Sequence, residues 1–202
     1  KHSDKSIYDH FIKGKKRGPE FSKIISAYMN AILGFHRLAI NGLNPESNQP
    51  FYIDGIYLIC NGEIYNYKQL YAKMQVTPTT DSDCEVIIHM YKKYGMKQTL
   101  RMLDGIFAFV LLDTRGDSPL YIARDPFGIR ALYKLTFNNT TDYGKKLYGF
   151  ASEMKSLIGL HSQNRNDTSN DNSNKTITQF EPGTYSKFTV PNGVNPCWCP
   201  VF

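Results

Sequence analysis

Ile106-Phe107-Ala108-Phe109-Val110-Leu111-Leu112 is an uninterrupted apolar run set between Asp104-Gly105 and Asp113. It is short for a helix, and it shows no alternation that would reserve one face for water. A strand of this kind is buried on both faces. It needs one layer above it and another below. A chain of 202 residues is long enough to supply those layers around a single core.

Upstream of this run, Phe51-Tyr52-Ile53 and Ile56-Tyr57-Leu58-Ile59-Cys60 flank Asp54-Gly55. Two β runs around Asp-Gly predict a hairpin with a type I′ turn. The second run is expected to stop at Asn61-Gly62-Glu63. Asn66 then opens a helix, with Gln69 completing a capping box and Tyr67, Leu70, Tyr71 and Met74 as its apolar face. Ser82-Asp83-Cys84-Glu85 is a better capping box. The helix behind it carries Cys84, Ile87, Ile88 and Tyr91 on one stripe and stops at Gly95, and a short helical segment over 98–103 leads to the apolar run.

The flanks follow the same logic. Ile7, Tyr8, Phe11 and Ile12 predict a first helix ending near Gly14, followed by a turn at Arg17-Gly18-Pro19-Glu20, a strand over 31–40 and a polar loop over 41–50. Residues 120–123, 131–134 and 147–151 read as strands, 152–157 as a short helix, and 179–190 as strand pattern around a Pro182-Gly183 turn. Residues 161–175 are nearly devoid of apolar side chains and read as a disordered polar surface insertion. Helices covering stacked, mostly antiparallel sheets are the architecture that this order supports.

Composition narrows the function classes. Hydrophobic residues make up 41% and charged residues 21%, which fits a soluble globular chain. The net charge of +6 is not organised into a stripe, so no nucleic-acid partner is expected. No apolar run approaches the ~20 residues that a membrane helix needs, and no secretory signal opens the chain. The expected location is cytoplasmic, with no membrane partner. Cys60 and Cys84 read as reduced core residues. Cys197-Trp198-Cys199 lacks companion ligands, and the histidines have no metal spacing, so no metal site is expected.

Three positions carry chemistry. Arg37, at a strand end, is either a surface arginine packing its stem or a bidentate carboxylate clamp. Asp83, in the first turn of a helix, either helps to cap it or grips an ammonium group. Asn61 with Gly62 is either a plain turn or an amide and a bare N–H aimed at a developing oxyanion. Taken together they specify an α-amino acid whose side-chain carbonyl is attacked. Nothing in their spacing obliges them to meet. Arg124-Asp125-Pro126-Phe127-Gly128-Ile129-Arg130 reads as a structural turn, with Asp125 accepting backbone hydrogen bonds and the arginines pairing with carboxylates. Arg115-Gly116-Asp117 reads as a hairpin turn.

These motifs also have a family likeness. His36-Arg37-Leu38-Ala39-Ile40, Asn61-Gly62-Glu63-Ile64-Tyr65-Asn66 and Ser82-Asp83-Cys84-Glu85 resemble the class II glutamine amidotransferase domain of asparagine synthetases. So do Leu103-Asp104-Gly105-Ile106-Phe107-Ala108-Phe109, Arg124-Asp125-Pro126 with Gly128-Ile129-Arg130, and Phe150-Ala151-Ser152-Glu153-Met154-Lys155. The likeness runs in order from Arg17-Gly18-Pro19-Glu20 to Pro182-Gly183-Thr184-Tyr185.

The resemblance implies an α+β fold, the four-layer αββα sandwich of N-terminal-nucleophile hydrolases with two mostly antiparallel sheets. It implies that Arg37 binds the glutamine α-carboxylate and Asp83 the ammonium. Asn61 and Gly62 would be the catalytic oxyanion donors, and Glu63 would frame the amide end. Backbone atoms of Leu38, Ala39, Ile40 and Asn41 would line the pocket, although Asn41 stands where the family usually has an aliphatic residue. The implied activity is hydrolysis of glutamine to glutamate and ammonia. The ammonia would serve a C-terminal synthetase domain that adenylates aspartate using ATP and Mg, with no cofactor in this domain. A homodimer is compatible with the likeness. The family's nucleophile is a cysteine at the extreme N-terminus, activated by its own amine. This sequence begins at Lys1, and its four cysteines are all internal. The expectation is therefore that residues 1–202 form the glutaminase domain without its nucleophile strand, inactive by itself. The rival reading is a catalytically inactive amidotransferase-like module with a regulatory or assembly role.

Overall fold

The computed structural model describes residues 4–28, 31–138, 146–158, 160, 175–189 and 199–201. Helix α1 (Asp4–Ile12) precedes an antiparallel pair, β1 (Phe21–Tyr28) and β2 (Ala31–Arg37). Strands β3 (Phe51–Ile53) and β4 (Ile56–Ile64) turn at Asp54-Gly55, whose φ values are 48° and 78°. Positive φ at both positions is what a type I′ turn demands, as the sequence predicts. Helices α2 (Tyr67–Met74) and α3 (Val86–Met102) lead to β5 (Gly105–Asp113) and β6 (Pro119–Arg124). Strands β7 (Tyr133–Asn138) and β8 (Lys146–Ala151), helix α4 (Lys155–Ile158), and strands β9 (Lys175–Gln179), β10 (Tyr185–Thr189) and β11 (Cys199–Val201) follow.

The strands form a six-stranded sheet in the order β11-β10-β6-β5-β4-β3, a pair β1-β2, and a three-stranded sheet β8-β7-β9, with every strand pairing antiparallel. Strand β5 is the run from which the sequence argument began. Phe107, Phe109 and Leu111 point into a cluster with Leu70, Tyr71, Ile87 and Ile88 of α2 and α3. Ala108, Val110 and Leu112 point the opposite way, into a cluster with Ala31 and Leu33 of β2, Leu132 and Phe180. Beyond β2 lies α1, whose Phe11 ring stacks on His36 at 3.9 Å between centroids. Helix α1 also packs on α4, which packs on β8. The layers are thus α2/α3, the six-stranded sheet, the two smaller sheets, and α1/α4. This is the four-layer sandwich that the sequence likeness implies, with its second sheet in two hydrogen-bonded pieces.

Several local readings are corrected. Strand β1 carries no strong pattern in sequence, because Phe21–Tyr28 is only half-buried and mixes Ser and Lys with apolar residues. Strand β2 ends at Arg37 rather than continuing to residue 40. Strand β4 does not stop at Asn61-Gly62 but runs through to Ile64, paired with β5 throughout. Cross-strand pairing here overrides the turn preference of Asn-Gly. Asn66 makes no side-chain cap. Its Nδ2 donates to the Met102 carbonyl at 2.9 Å and its Oδ1 accepts from the Asp104 N–H at 3.1 Å, so it staples the end of α3 instead. Gly95 is a break within α3 (φ 73°, ψ 166°), and the helical segment expected over 98–103 is the second half of that helix. Residues 161–174 of the expected polar insertion lie outside the described residues, whereas Lys175 already belongs to β9. Cys197 and Trp198 also lie outside them. Among the described residues no helix is long and apolar enough to cross a membrane.

Candidate functional site

A cavity of about 520 Å³ opens between the six-stranded sheet and β2, with α1 contributing to its wall. Arg37, Leu38, Ile40, Asn41, Asn61, Gly62, Glu63 and Asp83 all line it. The side chains and N–H groups that the sequence could only nominate separately therefore share one space. Ala39 is not part of this wall, and its N–H donates to Glu20 Oε2 at 2.7 Å.

Strand β4 presents two kinds of group to the cavity. Ile56, Leu58, Cys60 and Ile64 face the α2/α3 cluster, whereas Tyr57 and Ile59 face the other way. Alternation puts the side chains of Asn61 and Glu63 on that second face. The edge of β4 beyond β3 is closed by side chains. Cys60 N–H donates to Gln49 Oε1 at 2.6 Å, and its carbonyl accepts from Gln49 Nε2 at 3.2 Å. Ile64 N–H donates to Asp83 Oδ2 at 2.6 Å, and Cys84 Sγ lies 3.7 Å from the Gly62 carbonyl. The same alternation turns the Gly62 N–H onto this edge, between the two bonded amides. Sequence reasoning missed Gln49, a side chain mimicking a strand, because it sits in a loop that otherwise reads only as polar.

Arg37 is not a surface arginine, since only 7% of it is exposed. Its Nη1 donates to the Asn44 carbonyl at 3.2 Å and to Asn48 Oδ1 at 2.7 Å, and its Nη2 to the carbonyls of Asn41 (3.3 Å) and Gly42. The fork thus gathers the 41–48 loop around itself. Asp83 is also buried and opens the 3₁₀ turn Asp83–Glu85 ahead of α3. Ser82 Oγ accepts from Cys84 N–H at 3.3 Å, the N-cap bond that the sequence predicts. Asp83 Oδ2 is held by β4, while among the described residues Oδ1 has only the long 3.5 Å approach of Asn41 Nδ2.

Glu63 pairs with Arg130 at 3.0 Å, and Arg130 also lines the cavity. Arg130 was legible only as part of a charged turn. Its neighbours are structural, as expected of that turn. Asp125 is fully buried and accepts from the N–H groups of Phe107 (3.2 Å) and Phe127 (2.9 Å). Among the described residues Arg124 pairs with no carboxylate. It donates to the carbonyls of Phe180 and Gly128, each at 2.6 Å, and of Arg130 at 2.8 Å, and so satisfies backbone acceptors that the folded turn gathers around it.

Cys60 and Cys84 are free and buried. Hydrogen bonding to the Cys60 thiol, burial and the Asp83 carboxylate push the Cys84 thiol well above its ordinary range. It stays protonated, which makes it a poor nucleophile. Among the described residues no cluster of metal-ligating side chains exists.

Glu85 is fully buried behind the site. Burial alone would raise its pKa, but bonds from His89, Thr79 and Thr80 outweigh burial and bring it down to about 2. An unfolded glutamate titrates near 4.3, so the ionised form stabilises the fold above that pH. That contribution is lost as the pH falls toward 2. With allowance for solvent screening it is on the order of 2 kcal/mol. Urea unfolding followed downward from about pH 5.5 is expected to show this loss in the native chain and a flatter profile in Glu85→Gln.

Comparison with known proteins gives the site its context. Residues 1–191 match the family model described as glutamine amidotransferase domain. The chain is 41% identical over 150 residues to the glutamine-hydrolyzing asparagine synthetase of Gallus gallus, covering 71% of this chain and 25% of that protein. The corresponding Homo sapiens protein is 40% identical over 152 residues with the same coverage. The chain thus spans a quarter of the length of these curated relatives. Among solved structures, the glutamine phosphoribosylpyrophosphate amidotransferase of B. subtilis superposes with a TM-score of 0.55 at 24% identity, covering 79% of this chain and 32% of that one. At that identity it speaks for the fold alone.

Proposed function

We propose, from the premise that this chain belongs to the glutamine amidotransferase domain family, that its cavity is the glutamine site of an asparagine synthetase. The observation that carries this reading is that Arg37, Asn61, Gly62 and Asp83 all line one cavity. Asp83 Oδ1 takes the substrate ammonium, displacing the weak contact with Asn41. Arg37 exchanges loop carbonyls for the substrate carboxylate. The side-chain amide then reaches β4, where Asn61 Nδ2 and the Gly62 N–H receive the oxygen as it gains charge. Glu63, fixed by Arg130, stands beside that end. The attack is not assigned to Cys60 or Cys84, both buried, the latter with a suppressed thiolate.

Ammonia released here would serve a C-terminal synthetase domain that activates aspartate with ATP and Mg. Two observations support such a partner. The matched 71% of this chain covers only 25% of the relative's length, and Leu43 and Phe127 are 78% and 82% exposed, large apolar side chains of the kind that another domain covers. The reduced state of Cys60 and Cys84 fits a cytoplasmic setting.

The test is substrate discrimination in the intact gene product. L-Glutamine is expected to be hydrolysed to glutamate, with L-asparagine, one methylene shorter, at least about tenfold poorer in kcat/KM. Equal use of the two amides, or of neither, would overturn the reading.

A further inference from the structure

Resting on that reading of the cavity, we propose that Glu85 is a positioning residue: it locks the 79–82 loop and thereby sets where the Asp83 carboxylate stands for the substrate ammonium. Glu85 does not line the cavity, so it touches no substrate. Its Oε1 accepts from Thr79 N–H at 2.8 Å, Thr79 Oγ1 at 2.9 Å and His89 Nε2 at 2.9 Å. Its Oε2 accepts from Thr80 N–H at 2.6 Å. A buried carboxylate needs such a set of donors to be tolerated. What distinguishes this one is where they come from. Three of the four belong to consecutive residues of the loop that leads into Asp83.

The lock continues along the chain. Thr80 Oγ1 accepts from Ser82 N–H at 3.2 Å, and Ser82 Oγ accepts from Cys84 N–H at 3.3 Å. Asp83, between them, is tied to β4 by one oxygen, through Ile64 N–H at 2.6 Å. The direction of its other oxygen is therefore set by the backbone entering the turn, which Glu85 fixes from behind. Positioning at this distance matters because an ion pair loses strength when its geometry slackens.

Glu85→Gln keeps the size of the side chain but sets an amide against the Thr80 N–H, a donor facing a donor. Binding is measured with two probes, L-glutamine and 4-carbamoylbutanoate, which lacks the α-amine. The intact gene product is expected to lose roughly tenfold in glutamine affinity in this variant. The amine-free probe should change by less than about twofold, because it never meets Asp83. A merely structural role would weaken both probes alike, and that outcome overturns the proposal. Thr79 is exposed, so Thr79→Val folds independently of what Glu85→Gln does. It should show the same selective loss on a smaller scale. Asp83→Asn separates the two levels of the argument. If it weakens glutamine while both lock variants leave glutamine affinity unchanged, the positioning role falls and the pocket stands. If Asp83→Asn leaves glutamine binding unchanged, the reading of the pocket falls, and the lock with it.

Discussion

Gly62→Ala is expected to destabilise the chain by about 3 kcal/mol, at the upper end of what overpacking costs. A Cβ built at Gly62 would stand 2.2 Å from the Ile106 carbonyl oxygen and 2.6 Å from Phe107 Cα. Both obstacles are backbone of β5, which cannot rotate aside as a side-chain tip can. Relief requires moving β4 away from β5 along a ladder that runs from Ile56 to Ile64. Gly105, across the same ladder, shows the mirror situation, with its Cβ position 2.2 Å from the Glu63 carbonyl oxygen. The two glycines let the strands approach closely where the site is built. Urea denaturation measures the effect as a lower midpoint at unchanged slope. A loss below about 1 kcal/mol would mean that β4 yields easily and that Gly62 is not needed for this contact. Asn61→Ala, one residue away, is the control. Its side chain faces the cavity, so its stability should stay within about 1 kcal/mol of the native chain.

Arg37→Ala should combine two losses. The first is structural. The guanidinium serves the carbonyls of Asn41, Gly42 and Asn44 and the side chain of Asn48. Removing it takes the guanidinium donors from these half-buried loop acceptors, of which the Asn44 carbonyl keeps the Ser47 N–H, for about 3 kcal/mol in all. The second is functional, because on the proposed reading the substrate carboxylate then loses its paired guanidinium. Truncating a buried charge-paired contact costs 2–5 kcal/mol, so glutamine affinity should drop at least about 30-fold. Arg37→Lys separates the two. It keeps the charge but cannot fork to four acceptors, so it should bind glutamine better than the alanine variant while remaining less stable than the native chain. A lysine variant as stable as the native chain would show that the loop does not depend on the fork. Unchanged glutamine affinity in both variants would remove Arg37 from the proposed site.

Much of this fold was legible because the pattern is local. The Asp54-Gly55 hairpin, the Ser82 cap and the doubly buried β5 follow from turn chemistry, capping and hydrophobic period. The misreadings share one cause. Asn61-Gly62 resembles a strand end because Asn-Gly favours turns, yet pairing with Ala108 and Phe107 extends β4 through it. Asn66 has the residue type of a cap but spends its amide on Met102 and Asp104, distant in sequence. Glu85 fits half of a capping box but turns to Thr79 and Thr80. In each case a contact outside the motif itself decided: a partner strand for Asn61-Gly62, a distant helix end for Asn66, and the preceding loop for Glu85.

The sequence by itself determined the layering, since an apolar strand without alternation must be covered twice, and it nominated the residues whose chemistry suits an α-amino acid. Only the tertiary structure decided that Arg37, Asn61, Gly62 and Asp83 share one cavity. It also decided that the Asn-Gly pair lies within a strand, with the Gly62 N–H on the edge that Gln49 and Asp83 close on either side. The physical reason is that burial is enforced residue by residue and leaves a periodic trace in the chain. Convergence depends on which strand edges pair and which loops wrap, and spacing along the chain does not encode that.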